Sequence, residues 1–178
     1  VVVVGQEFVG HLEAIESELD ATIVVVGNHD RWPTFERWVT GHPAVDPGVV
    51  TGPDDLVMLM YTSGTTSKPK GTMISHSGQI YHYLACVQAL DYAADDRPLV
   101  CMPLYHTAAM HALLVPYLAI GAEVFLHERP DIPELLEAIE RDSIGSMFLA
   151  PTVWVPLSNH PDLDSRDISS LKKAQYGA

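Results

Sequence analysis

Residues 56–71 read LVMLMYTSGTTSKPKG, an apolar run followed by a loop rich in small and hydroxyl-bearing side chains. The apolar run has the length and composition of a buried strand. In the loop, Gly64 lies among five Thr and Ser residues, and a Lys-Pro-Lys-Gly sequence closes it. Backbone N–H groups near glycine, hydroxyls and ammonium groups are the donors that bind phosphate oxygens. The stretch therefore predicts a strand that leads into a phosphate-binding loop, with ATP as the ligand.

Two other kinds of phosphate loop are excluded by spacing. A Walker loop requires GxxxxGK[ST], whereas Gly64 and Gly71 have the wrong interval and Thr72 follows them in place of Lys. The dinucleotide-binding pattern GxGxxG is absent from the chain. From composition alone, a solvated Ser/Thr/Gly turn remains the alternative to a phosphate-binding loop.

Outward from this loop, apolar runs alternate with amphipathic stretches along the whole chain, and the apolar runs are rich in β-branched residues. The pattern predicts an α/β protein with a mostly parallel sheet and helices on both faces. Ser75 is a predicted N-cap, and Asp131 with Glu134 is a predicted capping box. The predicted strands are residues 1–4, 22–26, 56–62, 99–103, 123–126 and 146–149. The predicted helices are residues 7–19, 34–39, 73–90, 106–118 and 132–141.

The composition of the chain argues against some binding partners and indicates a cellular compartment. The formal net charge of −13 argues against nucleic acid, because binding to a phosphate backbone relies on a basic surface. Cys86 and Cys101 have the spacing of neither a zinc site nor a disulfide framework, so both are expected to be buried free thiols in a reducing, cytoplasmic compartment. No apolar run is long enough to cross a membrane, and peripheral membrane contact would follow only from a lipid substrate.

The loop sequence resembles the phosphate-binding signature YTSGTTGxPKG of the adenylate-forming (AMP-binding) superfamily. That superfamily contains acyl-CoA synthetases, the adenylation domains of peptide synthetases, and luciferases. Every written position but one is matched, and Ser67 stands where the family has a second Gly. Lys68 occupies a variable position and is expected to be a solvated charge. The resemblance implies ATP binding, with Mg²⁺ ordered by hydroxyls such as those of Thr65 and Thr66, through Thr62, Ser63, Gly64, Thr65, Thr66 and Lys70.

Two further stretches are similar to the family in order and distance. Residues 102–110, MPLYHTAAM, resemble its second core motif, and residues 147–178 resemble the stretch that ends in the turn against the adenylate. The resemblance covers residues 50–178 and implies that His106 lines the acyl and pantetheine channel without acting as a nucleophile. A packing role remains the alternative for Tyr105. The implied substrate-binding set is Tyr105, His106, Tyr176, Gly177 and Ala178.

The resemblance implies an acyl-CoA synthetase of the fatty-acid–CoA ligase type. Such an enzyme joins a carboxylic acid to ATP as an acyl-adenylate and then transfers the acyl group to coenzyme A. The alternatives are a non-catalytic nucleotide-binding or structural fragment, and an enzyme that adenylates an amino or aryl acid.

The same resemblance predicts that residues 1–178 are an incomplete fragment of the large N-terminal AMP-binding domain. The expected missing parts are the start of that domain and the small C-terminal domain. Because the family's ribose-binding acidic residue, Mg²⁺-binding Glu and C-terminal Lys would then be absent, the fragment alone is expected to be inactive. Its uncovered apolar faces are expected to make it self-associate.

Overall fold

The computed structural model describes residues 1–62 and 69–177, and the side chain of Thr62 is outside that description. The chain divides into two compact units, Val1–Val50 and Thr51–Ala178. No helix among the described residues is long and apolar enough to cross a membrane.

The first unit is built on two parallel strands, β1 (Val2–Gly5) and β2 (Ile23–Val26). This confirms the predicted strand–helix–strand order. The single helix predicted for residues 7–19 is wrong. Between the strands the chain forms 3₁₀ turns at Gln6–Phe8 and Glu16–Glu18 around the five-residue helix α1 (Val9–Glu13).

The physical reason is lack of burial on the expected apolar face. Phe8 and Ile15 are both exposed, and Gly10 weakens the middle of the segment. A helix that buries so little apolar surface is only marginally stable. After β2, helix α2 (Phe35–Val39) begins where the Thr34 hydroxyl accepts a hydrogen bond from the backbone N–H of Arg37 at 3.3 Å.

The second unit contains an antiparallel hairpin and a four-stranded parallel sheet with the strand order β6-β5-β7-β8. The hairpin consists of β3 (Leu56–Thr62) and β4 (Lys70–Ser75). The sheet consists of β5 (Pro98–Val100), β6 (Phe125–Leu126), β7 (Ser146–Leu149) and β8 (Lys173–Tyr176). The helices are α3 (His76–Ala89), a π-helix (Ala108–Leu114), α4 (Val115–Ala119), α5 (Ile132–Asp142) and α6 (Pro151–Ser158).

Helices cover both faces of the parallel sheet, so the predicted α/β fold class is confirmed. Successive residues of a strand point to opposite faces, and β5 with the residue after it shows this clearly. Leu99 and Cys101 pack in one core cluster with residues of α5 and α6, such as Leu135 and Leu157. Val100 packs in the other cluster, with residues of α3, the π-helix and α4, such as Tyr117.

Several elements differ from the sequence-based expectation, among them β5 and β6, which are shorter, and α6, which was not predicted. Residues 73–75 were predicted to be helical, but they pair with β3 as the end of β4, and α3 begins only after the N-cap Ser75. The helix predicted for residues 106–118 divides into the π-helix and α4, because Pro116 has no N–H for a regular helical hydrogen bond. Strand β8 was not predicted at all.

Both predicted N-caps are present, but the reciprocal half of the predicted capping box is not, because the N–H of Asp131 donates to the carbonyl of Arg129 at 3.1 Å. The Ser75 hydroxyl accepts a hydrogen bond from the N–H of Gly78 at 3.3 Å, and the Asp131 carboxylate accepts one from the N–H of Glu134 at 3.2 Å. Cys86 and Cys101 are buried free thiols, as predicted. Burial raises the pKa of Cys101 to about 12, so its thiol stays protonated.

Candidate functional site

The predicted phosphate loop connects the two strands of the hairpin. Thr62, the last residue of β3, is registered opposite Lys70, the first residue of β4. Ser63, Gly64, Thr65 and Thr66 lie outside the described residues, as does Lys68. The backbone geometry thus places both ends of the predicted ATP-binding stretch at the same end of the hairpin.

Gly71 has a packing reason for being glycine. It is registered opposite Tyr61, whose ring lies so close that a Cβ on Gly71 would be 3.2 Å from the ring carbon Cζ. A larger residue would push the aromatic ring away from the β4 backbone beside the loop. The tyrosine and the final glycine of the loop sequence are therefore a matched cross-strand pair.

At the other end of the hairpin, two backbone hydrogen bonds tie the start of α3 to the turn that precedes β3. The N–H of His76 donates to the carbonyl of Asp55 at 3.0 Å, and the N–H of Ser77 donates to the carbonyl of Pro53 at 2.9 Å. These bonds satisfy helix N-terminal donors that have no partner inside the helix. The hairpin and α3 are consequently linked at both the N-cap and the preceding turn.

A cavity of about 590 Å³ lies at the carboxyl ends of the parallel strands. The end of an open parallel sheet is where ligands bind in α/β proteins, because the loops that follow each strand converge there. Residues that follow β5, β7 and β8 all contribute to its wall. The lining residues are Met102, His106, Thr107, Ala108, Ala109, Phe148, Ala150 and Gly177.

The cavity brings together His106 and Gly177, which belong to different sequence motifs. His106 comes from the turn that precedes the π-helix, where its N–H donates to the carbonyl of Pro103 at 3.1 Å. Gly177 follows β8, and a Cβ at that position would be 3.2 Å from the ring carbon Cε2 of Phe148. Glycine therefore lets the chain end of β8 approach the aromatic ring closely and leaves the cavity open.

Phe148 also borders a second, smaller cavity of about 120 Å³. Both cavities are bordered by Ala108 and Phe148, so the phenylalanine ring forms a partition between them. The remaining residues of the small cavity are Leu90, Tyr92, Ala112, Leu113, Gln175 and Tyr176.

The other predicted substrate-binding residues lie at the edge of this region. Tyr105 is 78% exposed, and its ring centroid is 4.6 Å from that of His106. Tyr176 is 77% exposed and borders the small cavity but not the large one. Ala178 lies outside the described residues.

The large cavity has little charge of its own. Among the described residues that line it, His106 brings the one basic side chain. A second histidine, His111, lies behind the wall on the π-helix, where its Nδ1 is 2.8 Å from the hydroxyl of Tyr83. Burial, together with the nearby His82, lowers the pKa of His111, so that residue is neutral at physiological pH.

Sequence patterns did not point to several residues of this region. The sequence predicts that Phe148 lies in a strand but assigns it no binding role, and it assigns no role to Tyr92 or Gln175. Gln175 lies in β8, whose sequence Lys-Ala-Gln-Tyr lacks the β-branched residues that identify strands. The feature of the sequence that points to Gln175 is its position two residues before Gly177, a predicted substrate-binding residue.

The sequence model of the AMP-binding enzyme family matches residues 1–178. The chain belongs to this family. Several characterised proteins are similar to this chain over most of its length.

Three relatives illustrate the range. A feruloyl-CoA synthase of Amycolatopsis sp is 37% identical over 131 residues, which is 74% of this chain and 27% of that protein. An indoleacetate–CoA ligase of Aromatoleum aromaticum is 30% identical over 100% of this chain and 36% of that protein. A medium/long-chain-fatty-acid–CoA ligase of Mycobacterium tuberculosis is 36% identical over 71% of this chain and 22% of that protein. The chain thus spans between about a fifth and about a third of these relatives.

Solved structures agree in fold. An anthranilate CoA ligase in complex with anthranoyl-AMP superimposes with a TM-score of 0.83 at 25% identity, covering 98% of this chain and 35% of that one. An ATP-bound RpMatB–BxBclM chimera gives a TM-score of 0.84 at 25% identity, covering 99% of this chain and 34% of that one. The α/β architecture described above is therefore that of part of a larger adenylate-forming domain.

Proposed function

We propose that the chain belongs to an acid–CoA ligase that activates a carboxylic acid with ATP and transfers the resulting acyl group to coenzyme A. The observation that carries this proposal is the cavity that joins His106 and Gly177, two residues of separate family motifs, at the carboxyl end of a parallel sheet. The relatives described above are all named as acid–CoA ligases or synthases, which supports the reaction type.

In the proposed first step, the hairpin loop holds the triphosphate of ATP. The loop hydroxyls and backbone N–H groups of residues 62–66 would donate hydrogen bonds, and Lys70 would supply positive charge. Acid and phosphate are both anionic, so their approach requires neutralisation and in-line positioning more than proton transfer. A loop of hydroxyls and lysine meets that requirement.

Mg²⁺ is part of this proposal. No group of three or more His, Cys, Asp or Glu residues in the described part of the chain could hold a metal ion. Mg²⁺ commonly keeps several waters and binds through substrate phosphates with few protein ligands. The hydroxyls of Thr65 and Thr66 are suited to such a site, in which the ion would offset the repulsion between ATP and a chain of net charge −13.

The large cavity would hold the body of the acid. Its lining is mostly apolar and small, which suits a hydrocarbon or aromatic group whose carboxylate points toward the ATP. His106 would line the path of the carboxylate, and the backbone around Gly177 would lie against the adenylate. Free thiols at Cys86 and Cys101 are consistent with the proposed cytoplasmic location.

Two classes of carboxylic acid are candidates for the substrate. A fatty acid was the expectation from the chain's own motifs, and the mycobacterial relative supports it. An aromatic acid is the second candidate, because the feruloyl, indoleacetate and anthranilate enzymes named above act on aromatic acids. Phe148 bears on this choice, since it borders both the large and the small cavity.

A pyrophosphate exchange assay on the full-length enzyme tests both the proposed reaction and the class of acid. Fatty acids of increasing length, hydroxycinnamic acids, indoleacetic acid and amino acids would each be supplied with ATP, Mg²⁺ and labelled pyrophosphate. Exchange with one class of acid, followed by thioester formation with coenzyme A, is the expected result. The absence of exchange with every acid, together with retained ATP binding, would favour a non-catalytic nucleotide-binding protein.

Phe148→Ala sharpens the choice of acid. Joining the two cavities should improve exchange with longer or bulkier acids relative to short ones, because the ring no longer limits depth. Leu149→Ala is a suitable control, since Leu149 is buried in the core cluster that includes residues of α5 and α6. If Phe148→Ala and the wild type show the same relative exchange rates with short and long acids, Phe148 does not separate the two cavities.

Lys70→Ala tests the phosphate loop. Losing a charged partner at the triphosphate should lower the rate of adenylation by about 10- to 1,000-fold. Lys68→Ala is the matched control, because Lys68 occupies a variable position of the signature and is expected to be solvated. Equal rates in the wild type and in Lys70→Ala would contradict the assignment of this loop.

The extent of the chain is also a proposal. We propose that residues 1–178 are the middle of a larger N-terminal domain, and that alone they bind ATP no better than about 1 mM, near −4 kcal/mol. Calorimetry and light scattering on the isolated chain test this. Micromolar ATP binding by a monodisperse monomer would contradict it.

A further inference from the structure

Tyr92 is a buried residue whose hydroxyl lies between two separate walls of the candidate site. The residue follows α3, at a turn where Asp91 has a positive φ of 54°. Its ring stacks on that of Tyr117 with a centroid distance of 4.0 Å. Its hydroxyl is 3.0 Å from the carbonyl oxygen of Ala112 and 2.9 Å from the side-chain oxygen of Gln175.

Pro116 removes one α-helical hydrogen bond to the carbonyl of Ala112, which lies in the π-helix. In an α-helix this carbonyl would accept from the N–H four residues later, but that residue is Pro116, which has no N–H. Tyr92 donates a hydrogen bond to this carbonyl from outside the helix. It therefore contacts the π-helix directly, and the first residues of that helix, Ala108 and Ala109, line the large cavity.

Gln175 is held from two directions. Its side chain faces Tyr92, and its backbone carbonyl accepts a hydrogen bond from the indole N–H of Trp154 at 2.7 Å. It lies in β8, which is at the end of the strand order and pairs with β7 alone among the described strands. Because a terminal strand has a neighbouring strand on one side only, side-chain contacts contribute more to fixing its position.

The two hydrogen-bond acceptors of Tyr92 thus belong to two different elements, each of which leads to the large cavity. The π-helix that contains Ala112 begins with cavity-lining residues, and β8, which contains Gln175, ends at Tyr176, directly before the cavity-lining Gly177. We propose that Tyr92 is a positioning residue whose hydroxyl couples the π-helix to β8 and so fixes the width of the large cavity. Its effect on catalysis rests on the proposed function, whereas the coupling itself does not.

The state of the hydroxyl agrees with this role. Burial raises the pKa of Tyr92 to about 12. The phenol therefore keeps its proton throughout the physiological range and remains a donor. One proton faces two acceptors, so the hydroxyl is shared between the two walls.

Tyr92→Phe and Tyr117→Phe form a matched pair of variants. Both remove one buried hydroxyl from the same ring stack, but the hydroxyl of Tyr117 donates to Asp96 at 2.8 Å and bonds Ser146 at 2.9 Å, at the amino ends of the strands. The full-length Tyr92→Phe enzyme should show a KM for the acid raised on the order of 5-fold, the effect of one net hydrogen bond, with little change in KM for ATP. Tyr117→Phe should lower thermal stability without changing the KM for the acid.

Gln175→Leu provides a second test of the same coupling. It should give the same direction of change in KM as Tyr92→Phe, and the double variant should show no further increase, because both remove one interaction. Fully additive increases would show that Tyr92 does not act through Gln175 and would overturn the proposal.

Hydrogen–deuterium exchange decides the matter independently of activity. In Tyr92→Phe, backbone amides of the π-helix and of β8 should both exchange faster, on the order of 5-fold, while those of α5 keep the wild-type rate. Uniform acceleration over the chain, or acceleration of one wall alone, would overturn the coupling. If the wild-type enzyme activates no acid, the proposed function fails, and the exchange measurement still tests Tyr92.

Discussion

The parallel sheet and the β3–β4 hairpin are built from similar apolar sequences, yet their surroundings differ sharply. Leu99 of β5 is 0% exposed, whereas Leu59 of β3 is 49% exposed. The sheet has helices on both faces, and the hairpin has an exposed face among the described residues. An apolar run therefore predicts that a strand forms, but its burial depends on which elements pack against it.

This contrast matches the roles proposed for the two regions. The sheet ends define the cavity walls, where small displacements would change the fit of an acid. The hairpin strands flank the loop sequence whose donors are proposed to bind a polyphosphate. The following predictions compare buried positions of the sheet region with matched exposed or open positions.

Leu99→Ala and Leu59→Ala provide the largest contrast. Leu99→Ala removes a fully buried side chain and should lower the free energy of unfolding by about 3 to 4 kcal/mol, as in other large-to-small core changes. Leu59→Ala should lower it by less than about 1 kcal/mol, because half of that side chain is already in water. Denaturant unfolding of both variants measures the difference, and equal losses would show that the hairpin is as well packed as the sheet.

Gly145→Ala tests the tight turn before β7. A Cβ at Gly145 would lie 2.2 Å from the carbonyl oxygen of Asp96, a backbone atom that cannot move without shifting the turn that precedes β5. We expect a loss of about 3 kcal/mol in the free energy of unfolding. Gly52→Ala is the control near the hairpin, because a Cβ there meets only the Asp55 side chain at 3.5 Å. A tolerated Gly145→Ala would mean that this turn adapts easily.

Lys173→Met tests the anchor at the amino end of β8. The ammonium of Lys173 lies 2.7 Å from the Asp96 carboxylate, and it also donates to the carbonyl of Asp91. Both side chains of the pair are largely buried, so removing the cation should cost about 2 kcal/mol near neutral pH. Arg141→Met, which removes an exposed ion pair, should leave unfolding unchanged within error.

The pH dependence of this variant has a definite sign. Burial alone would raise the pKa of Asp96, but the hydrogen bonds from Lys173, Ala93 and Tyr117 outweigh it and hold the pKa below its ordinary value. The pair therefore stabilises the fold above the ordinary carboxyl pKa, and this contribution is lost as the pH falls through the folded-state pKa. The wild type and Lys173→Met should converge in stability below about pH 4. A constant difference down to pH 2 would exclude Asp96 as the group responsible.

Local sequence predicted most strands and both caps. Residues 56–62 and 146–149 were predicted with their observed bounds, because composition and period act within a few residues. The errors lie where distant partners decide. Residues 73–75 joined β4 through pairing with β3, and β8 formed from a sequence of weak strand propensity because β7 offers it a hydrogen-bonding partner. The phosphate loop is predicted from its sequence and stays a prediction, since its residues 63–68 lie outside the described part of the chain.

The sequence by itself determined the α/β class, the family signature and the positions of the caps, since each depends on residues within one segment. Only the tertiary structure brought His106 and Gly177 to one cavity, placed Phe148 between two spaces, and set the Tyr92 hydroxyl between Ala112 and Gln175. The physical reason is that these contacts join segments far apart in the chain. They exist because parallel strands align their ends and helices pack across them, and no local pattern specifies which side chains then meet.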